Sequence, residues 1–90
     1  MTVVTMYSTP YCGYCVVAKR LLESRGIPYE DIDVSGDMAK REWLRNVTGR
    51  RTVPQIFIGG QSIGGYMELA ALDRRGTLTA MIAEARRRAG

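Results

Sequence analysis

The chain has 90 residues, of which 46% are hydrophobic and 24% charged. This length and balance predict one globular domain spanning residues 1–90, and they exclude a disordered or multidomain chain. The formal net charge of +4 weakly favours an anionic partner, but the basic run Arg86–Arg88 has no interleaved aromatic residues and is better explained as a helix end than as a nucleic-acid surface.

The first part of the chain predicts a strand, a helix and a second strand. Val3–Tyr7 is short, apolar and β-branched, which is typical of a buried strand. Gly13–Arg25 carries apolar residues on one helical face, and Gly26 and Pro28 end that helix. Tyr29–Val34 alternates apolar and acidic residues, which predicts a strand with one buried face.

A second helix is expected after this strand. Ser35 can cap its start, and the helix should extend to about Asn46. Its inner stripe is expected to consist of Ala39, Trp43 and Val47, with Leu44 beside them.

A hairpin and two helical segments complete the pattern. Gly59-Gly60 separates Gln55–Ile58 from Gln61–Ile63, which is a strong hairpin signal. A short helix follows Gly64-Gly65, and Thr77 begins the final helix. The order is therefore βαβαββα with an extra helical turn or two near the end.

This order predicts an α/β fold. A strand–helix–strand start gives a parallel pair joined by a right-handed crossover. The hairpin adds antiparallel strands to the same sheet, so we expect a four-stranded mixed sheet with helices on both faces.

The segment TPYCGYCV carries the only two cysteines, Cys12 and Cys15, and the chain has no histidine. Their spacing on a helix puts the two α-carbons about 5–6 Å apart, which suits a disulfide. Cys12 lies at the helix start, where free amides and the helix dipole stabilise a thiolate, and Cys15 should be more buried. One thiol can attack and the other resolve, so C-x-x-C beside a βαβ pattern indicates a redox pair.

Two structural roles for the cysteines are less favoured. A structural zinc site needs four ligands, and this chain offers two cysteines and no histidine. A disulfide that spans two intervening residues would constrain the unfolded chain very little. Redox chemistry is therefore the preferred interpretation.

Three blocks of sequence resemble the signature blocks of the glutaredoxins, in order and at the right spacings: TPYCGYC, TVPQIFIGG at Thr52–Gly60, and IGGYMEL at Ile63–Leu69. The resemblance covers nearly the whole chain. It implies a thioredoxin-like fold and an enzyme that uses glutathione to reduce protein disulfides and glutathione mixed disulfides. It also implies that Cys12 is the nucleophile, that Cys15 resolves, and that Pro54 is a cis-proline lying against the cysteines.

The resemblance further implies a glutathione-binding groove. Arg41 would contact the glycine carboxylate, and backbone groups of Val53 would pair with the cysteine moiety. The helix start at Gly65 would receive the γ-glutamyl carboxylate, since helix-start amides bind anions. The residues implied in this groove are Tyr14, Arg41, Arg51, Thr52, Val53, Pro54, Gly65, Tyr66 and Met67.

Three positions depart from the usual family pattern. Gly13 stands where many members have proline, Thr9 where a lysine is usual, and Met67 where an aspartate pairs with the γ-glutamyl amine. Glu68, one residue on, is an imperfect substitute for that aspartate.

These departures leave two alternatives open. In the first, two chains share a [2Fe–2S] cluster through Cys12, with glutathione as the other ligand. In the second, the chain is mycoredoxin-like and is reduced by a flavoprotein reductase or by another low-molecular-weight thiol. Under the leading interpretation we expect a monomer that binds no metal. Its partners would be glutathione and proteins that contain disulfides or are glutathionylated.

The expected location is the cytoplasm. Met1–Val4 shows no basic region followed by a long apolar run, so no signal peptide is predicted. No segment approaches the length of a membrane span, so we expect no membrane partner. A reducing compartment also suits a thiol pair that opens and closes.

Overall fold

A computed structural model describes residues 2–90 and contains four strands and four helices. In chain order these are β1 (Val4–Ser8), α1 (Gly13–Ser24), β2 (Tyr29–Asp33), α2 (Met38–Thr48), β3 (Gln55–Ile58), β4 (Gln61–Gly64), α3 (Tyr66–Arg74) and α4 (Thr77–Ala89). The predicted α/β order is confirmed, and the extra turns near the end are two helices of 9 and 13 residues. Within residues 2–90, no helix combines the length and apolar character that crossing a membrane requires.

The strands form one mixed sheet in the order β2-β1-β3-β4. Strand β1 is parallel to β2 and antiparallel to β3, and β3 is antiparallel to β4. The β3–β4 hairpin turns at Gly59 and Gly60, whose φ angles of 58° and 83° suit glycine. The predicted four-stranded sheet is therefore confirmed, with β1 and β3 at its centre.

Helices cover both faces of the sheet, as the sequence predicts. On one face, α1, α3 and α4 enclose a core that includes Met6, Leu22, Leu69 and Leu78. On the other face, a smaller cluster around Tyr7 lies under α2. Met6 and Tyr7 serve different cores because successive side chains of a strand point to opposite faces.

The predicted start of α2 at Ser35 is wrong. The backbone N–H of Ser35 donates to the Asp33 carboxylate at 2.8 Å, so Ser35 belongs to the turn that leaves β2. The cap is Asp37, whose carboxylate accepts from the Lys40 N–H at 2.9 Å. The helix therefore begins at Met38 and runs to Thr48.

The predicted inner stripe of α2 is also wrong. Only Leu44 is buried, while Ala39 is exposed and the side chains of Trp43 and Val47 are 43% and 50% exposed. The Trp43 ring packs against the Tyr7 ring at a centroid distance of 5.7 Å and against the Phe57 ring at 6.0 Å. The apolar patch under α2 is small, so this short helix buries one residue, Leu44, instead of a stripe of three.

This burial pattern makes a stability prediction. Leu44→Ala should lower the free energy of unfolding by about 2–4 kcal/mol, because it removes a buried side chain and leaves a cavity. Val47→Ala is the matched control and should change it by less than about 0.5 kcal/mol, because Val47 is half exposed. Urea denaturation followed by Trp43 fluorescence measures both. Equal losses in the two variants would contradict the observed orientation of α2.

Candidate active site

The sulfur of Cys12 lies at the amide end of α1. Cys12 is the cap residue, with an extended backbone (φ −103°, ψ 115°), and its Sγ accepts a hydrogen bond from the Cys15 N–H at 3.2 Å. The first amides of a helix have no partner within the helix, and its dipole is positive at this end. The fold therefore places the thiol predicted to attack where an anion is favoured.

The second thiol differs sharply from the first. Cys15 is 1% exposed, whereas Cys12 is half-buried, and both are free thiols. Burial, helped by the hydrogen bond with Cys12, raises the pKa of Cys15 to about 12, although the Thr9 backbone and Lys19 act in the opposite direction. Cys15 is therefore a protonated, shielded thiol at neutral pH, one helical turn from an accessible one.

The chain before β3 packs against Cys12. The Val53-Pro54 peptide bond is cis, as the family resemblance implied. The Cys12 thiol donates to the carbonyl oxygen of Val53 at 3.4 Å. Within residues 2–90 the Val53 N–H has no hydrogen-bond acceptor, and the Val53 carbonyl oxygen retains a second lone pair beside the Cys12 contact.

A buried glutamine supports this turn. The Gln55 side-chain amide donates to the Thr52 carbonyl at 2.9 Å, and Gln55 is 1% exposed. Its other side-chain atom, Oε1, is buried without a hydrogen-bond partner among residues 2–90. The sequence analysis missed this residue. The available signal was a polar side chain directly after proline at the start of an otherwise apolar strand.

A groove of about 320 Å³ opens beside Cys12, at the small end of the usual range for ligand sites. It brings together seven of the nine predicted groove residues, namely Tyr14, Thr52, Val53, Pro54, Gly65, Tyr66 and Met67. The two predicted arginines, Arg41 and Arg51, do not line it, so their contacts stay a prediction. Arg50 and Glu68 complete the lining; the sequence analysis had not named Arg50, since a basic residue in a loop carries no distinctive signal.

The absence of a side chain at Gly65 lets the start of α3 approach the cis-proline turn. A Cβ at Gly65 would lie 3.2 Å from the Pro54 carbonyl oxygen, closer than ordinary van der Waals contact. Tyr66 and Met67, whose backbone N–H groups are the first of α3 and have no partner within the helix, line the same groove as Val53. Two sets of backbone donors thus border one cleft.

Glu68 is already engaged by the protein. Its carboxylate accepts from the Gly65 N–H at 2.7 Å and pairs with the Arg50 guanidinium at 3.1 Å. These two contacts, the Arg50 hydrogen bond first, hold the pKa of Glu68 below its ordinary value. Glu68 is therefore not a free substitute for the carboxylate missing at Met67.

Exposed apolar side chains surround the nucleophilic position. Tyr11 is 96% exposed, Tyr14 62% and Met67 65%. The Tyr14 and Tyr66 rings lie 6.2 Å apart across the groove. This rim offers apolar contact to a substrate whose sulfur reaches Cys12.

The described residues do not cluster into a metal site within one chain. Across residues 2–90 no three side chains of histidine, cysteine, aspartate or glutamate cluster closely enough to hold a metal ion. A cluster bound through Cys12 would therefore need ligands from outside this chain.

Comparisons with known proteins agree with this geometry. The family model described as Glutaredoxin matches residues 4–63. Glutaredoxin 3 of Escherichia coli strain K12 is 45% identical over 82 residues, which is 91% of this chain and 99% of that protein. A glutaredoxin of Pseudomonas aeruginosa is 40% identical over 82 residues, covering 91% of this chain and 98% of that protein.

Solved structures of glutaredoxins are similar to the structure of this chain. The crystal structure of a buckwheat glutaredoxin–glutathione complex has a TM-score of 0.87 and 36% identity, covering 92% of this chain and 78% of that one. The solution structure of a glutaredoxin from Brucella melitensis has a TM-score of 0.81 and 39% identity, covering 91% of this chain and 89% of that one.

The difference between the two thiols predicts their reactivity. Iodoacetamide at neutral pH should modify Cys12 at least about tenfold faster than Cys15, because Cys15 is buried and remains protonated until the pH approaches 12. Peptide mapping by mass spectrometry gives both rates.

The same experiment in about 6 M guanidinium is the control, where unfolding should bring the two rates together. The reactivity of Cys15 should rise with pH, since its raised pKa keeps the thiolate scarce below that value. Equal rates in the native protein at neutral pH would contradict the assignment of roles.

Proposed function

The chain belongs to the glutaredoxin family, and we propose that it is a dithiol glutaredoxin that uses glutathione to reduce protein disulfides and glutathione mixed disulfides. Membership of this family supports thiol–disulfide oxidoreductase activity. The observation that carries the finer proposal is the thiol pair itself: an accessible Cys12 sulfur at the amide end of α1, one turn from a buried Cys15.

The first step is an attack by Cys12. Its thiolate forms a bond to one sulfur of the substrate disulfide, and the other sulfur leaves as a thiolate that takes up a proton. The attacking sulfur lies at the amide end of α1, where it accepts a hydrogen bond from the Cys15 N–H. In the resting state the Cys12 thiol donates a hydrogen bond to the Val53 carbonyl, and this contact holds the sulfur at the edge of the groove.

Two routes complete the reaction. With a glutathione mixed disulfide, Cys12 takes the glutathionyl group, and the thiolate of a second glutathione attacks that group and frees Cys12. With a protein disulfide, Cys15 attacks Cys12, the intramolecular disulfide forms, and the reduced protein leaves. Two glutathione molecules then reduce the Cys12–Cys15 disulfide and become glutathione disulfide.

Backbone donors support glutathione as the ligand of the groove. The Val53 N–H is free for the cysteine moiety, and the α3 amides at Tyr66 and Met67 suit the γ-glutamyl carboxylate. The related buckwheat glutaredoxin was solved as a complex with glutathione. We assign Arg41, outside the groove lining, to the glycine carboxylate, and Arg51 to positive charge beside the Thr52–Pro54 turn.

Met67 favours a second candidate for the electron donor. Its side chain is 65% exposed in the groove where the family's aspartate would meet the γ-glutamyl amine, and Glu68 is paired with Arg50. A low-molecular-weight thiol without that amine, or a flavoprotein reductase, would not need the missing carboxylate. Under this alternative the Cys12–Cys15 chemistry is unchanged and only the reductant differs.

The test of the proposed activity is a coupled assay with a small glutathione mixed disulfide, reduced glutathione, glutathione reductase and NADPH. Turnover supports the glutathione-dependent enzyme. Its absence, with reduction of the same disulfide by another thiol or reductase, supports the second candidate. Protein purified without oxygen should show no absorption bands above about 400 nm. The presence of such bands would indicate a thiolate-bound cluster.

Substitution of each cysteine should separate the two routes. Cys12→Ser should abolish both, because a serine hydroxyl is a poor nucleophile without a base and this chain has no histidine. Cys15→Ser should keep the reduction of small mixed disulfides and lose the reduction of protein disulfides. Assays of both substrates measure this. Activity in Cys12→Ser, or a folded Cys15→Ser that is inactive on the small substrate, would contradict the scheme.

Restoring a carboxylate should strengthen the groove. Met67→Asp should lower the KM for glutathione about fivefold, since a partly exposed ion pair with the γ-glutamyl amine contributes about 1 kcal/mol. Thr79→Asp is the matched control, because Thr79 is exposed in the first turn of α4 and does not line the groove. An unchanged KM in Met67→Asp would show that the missing carboxylate does not limit glutathione binding.

A further inference from the structure

A polar cluster that the proposed mechanism does not use lies between α1 and the sheet. The Ser8 hydroxyl donates to one oxygen of the Asp31 carboxylate at 2.5 Å, and the Lys19 ammonium pairs with the other at 2.7 Å. Ser8 is 2% exposed, and the side chains of Lys19 and Asp31 are only about one-third exposed. Asp31 therefore ties the ammonium of Lys19 to the end of β1.

This cluster adjoins the buried thiol. Lys19 follows Cys15 by four residues on α1, so the two side chains project from the same face on successive turns. Ser8 precedes Thr9, whose backbone acts to lower the pKa of Cys15. The sheet register pairs Asp31 with Met6, two residues before Ser8, which puts Asp31 on the sheet face that α1 covers.

The resolving step requires an ionised Cys15, and the surroundings of this residue disfavour its ionised form. Cys15 must become a thiolate to attack Cys12, yet it is buried, and burial penalises the charged form. The chain has no histidine to act as a base. A cation next to the sulfur would lower the cost of ionisation, and Lys19 interacts favourably with the Cys15 thiolate.

We propose that Lys19, held in place by Asp31 and Ser8, stabilises the Cys15 thiolate in the step that releases a protein substrate from Cys12. In this step Cys15 loses its proton to solvent and its sulfur bonds to the Cys12 sulfur. The bond between Cys12 and the substrate breaks, and the departing substrate thiolate takes up a proton. The inference rests on the proposed dithiol route, and Lys19 serves only that route.

Lys19 stays charged over the working range of pH. Its hydrogen bond with Asp31 raises the pKa of Lys19, and Asp33 and the Cys15 thiolate act in the same direction. Three other pairs involve ionisable side chains near α1: Arg25 with Asp73, Tyr29 with Glu23, and Arg50 with Glu68. Lys19 is the cation whose charge favours the Cys15 thiolate.

The test compares Lys19→Gln with the wild type on both substrates. Reduction of a protein disulfide at pH 7 should slow roughly three- to tenfold, with the mixed disulfide on Cys12 accumulating, because the thiolate of Cys15 becomes scarcer. Reduction of a small glutathione mixed disulfide should not change, because that route bypasses Cys15. Lys19→Arg should restore the protein-disulfide rate. Arg20→Gln, an exposed charge on the adjacent position of α1, is the control and should have no effect.

A second measurement separates a loss of charge from a loss of structure. In the Cys12→Ser background, Lys19→Gln should slow alkylation of Cys15 by a similar factor. A loosened helix would expose Cys15 and speed its alkylation instead, which would overturn the proposal, as would equal slowing of both substrate reactions or no slowing at all. If the wild type itself reduced no protein disulfide, the proposed dithiol function would fail before this inference is reached.

Discussion

The contact between the start of α1 and the cis-proline turn is the constraint on which the site depends. Cys12 occupies the cap position of α1, where its sulfur accepts the Cys15 N–H, and its thiol donates to the Val53 carbonyl. Two neighbouring strands bring the two segments of this contact together. Strand β1 ends directly before the thiol pair, and β3, its antiparallel neighbour, begins directly after the turn. Any shift of this register would part Cys12 from Val53.

The same contact gives the sulfurs of Cys12 and Cys15 different surroundings. Cys12 lies at the cap position of α1, at the edge of the groove. Cys15 lies one helical turn later, on the buried side of α1, where it is 1% exposed. Burial protects Cys15 from unproductive reaction but makes its ionisation costly. The proposed dithiol route depends on both features, an accessible Cys12 and a buried Cys15 four residues before Lys19.

The sequence predicted the features that depend on local patterns. The C-x-x-C pair after an apolar strand, the Gly59-Gly60 hairpin and the final helix from Thr77 all carry short-range signals, and all lie where they were expected. The cis bond at Pro54 came from the family resemblance, since no local pattern distinguishes it from an ordinary trans proline.

Features that depend on tertiary contacts could not be predicted in this way. The face of α2 was misassigned because an 11-residue helix with several apolar positions fits more than one orientation, and only packing against Tyr7 selects Leu44. The pairing of Arg50 with Glu68 joins residues 18 positions apart, and that of Ser8 with Asp31 joins residues 23 apart. Such pairs have no sequence period to reveal them.

The central claim is that Cys12 reacts within a groove bordered by the Val53 N–H and the amides at the start of α3. The most direct measurement is amide NMR of Cys15→Ser before and after a single glutathione is attached by reaction with glutathione disulfide. The account predicts attachment at Cys12, with the largest shifts at the Val53, Tyr66 and Met67 amides. Attachment at Cys12 with these three amides unmoved would contradict it.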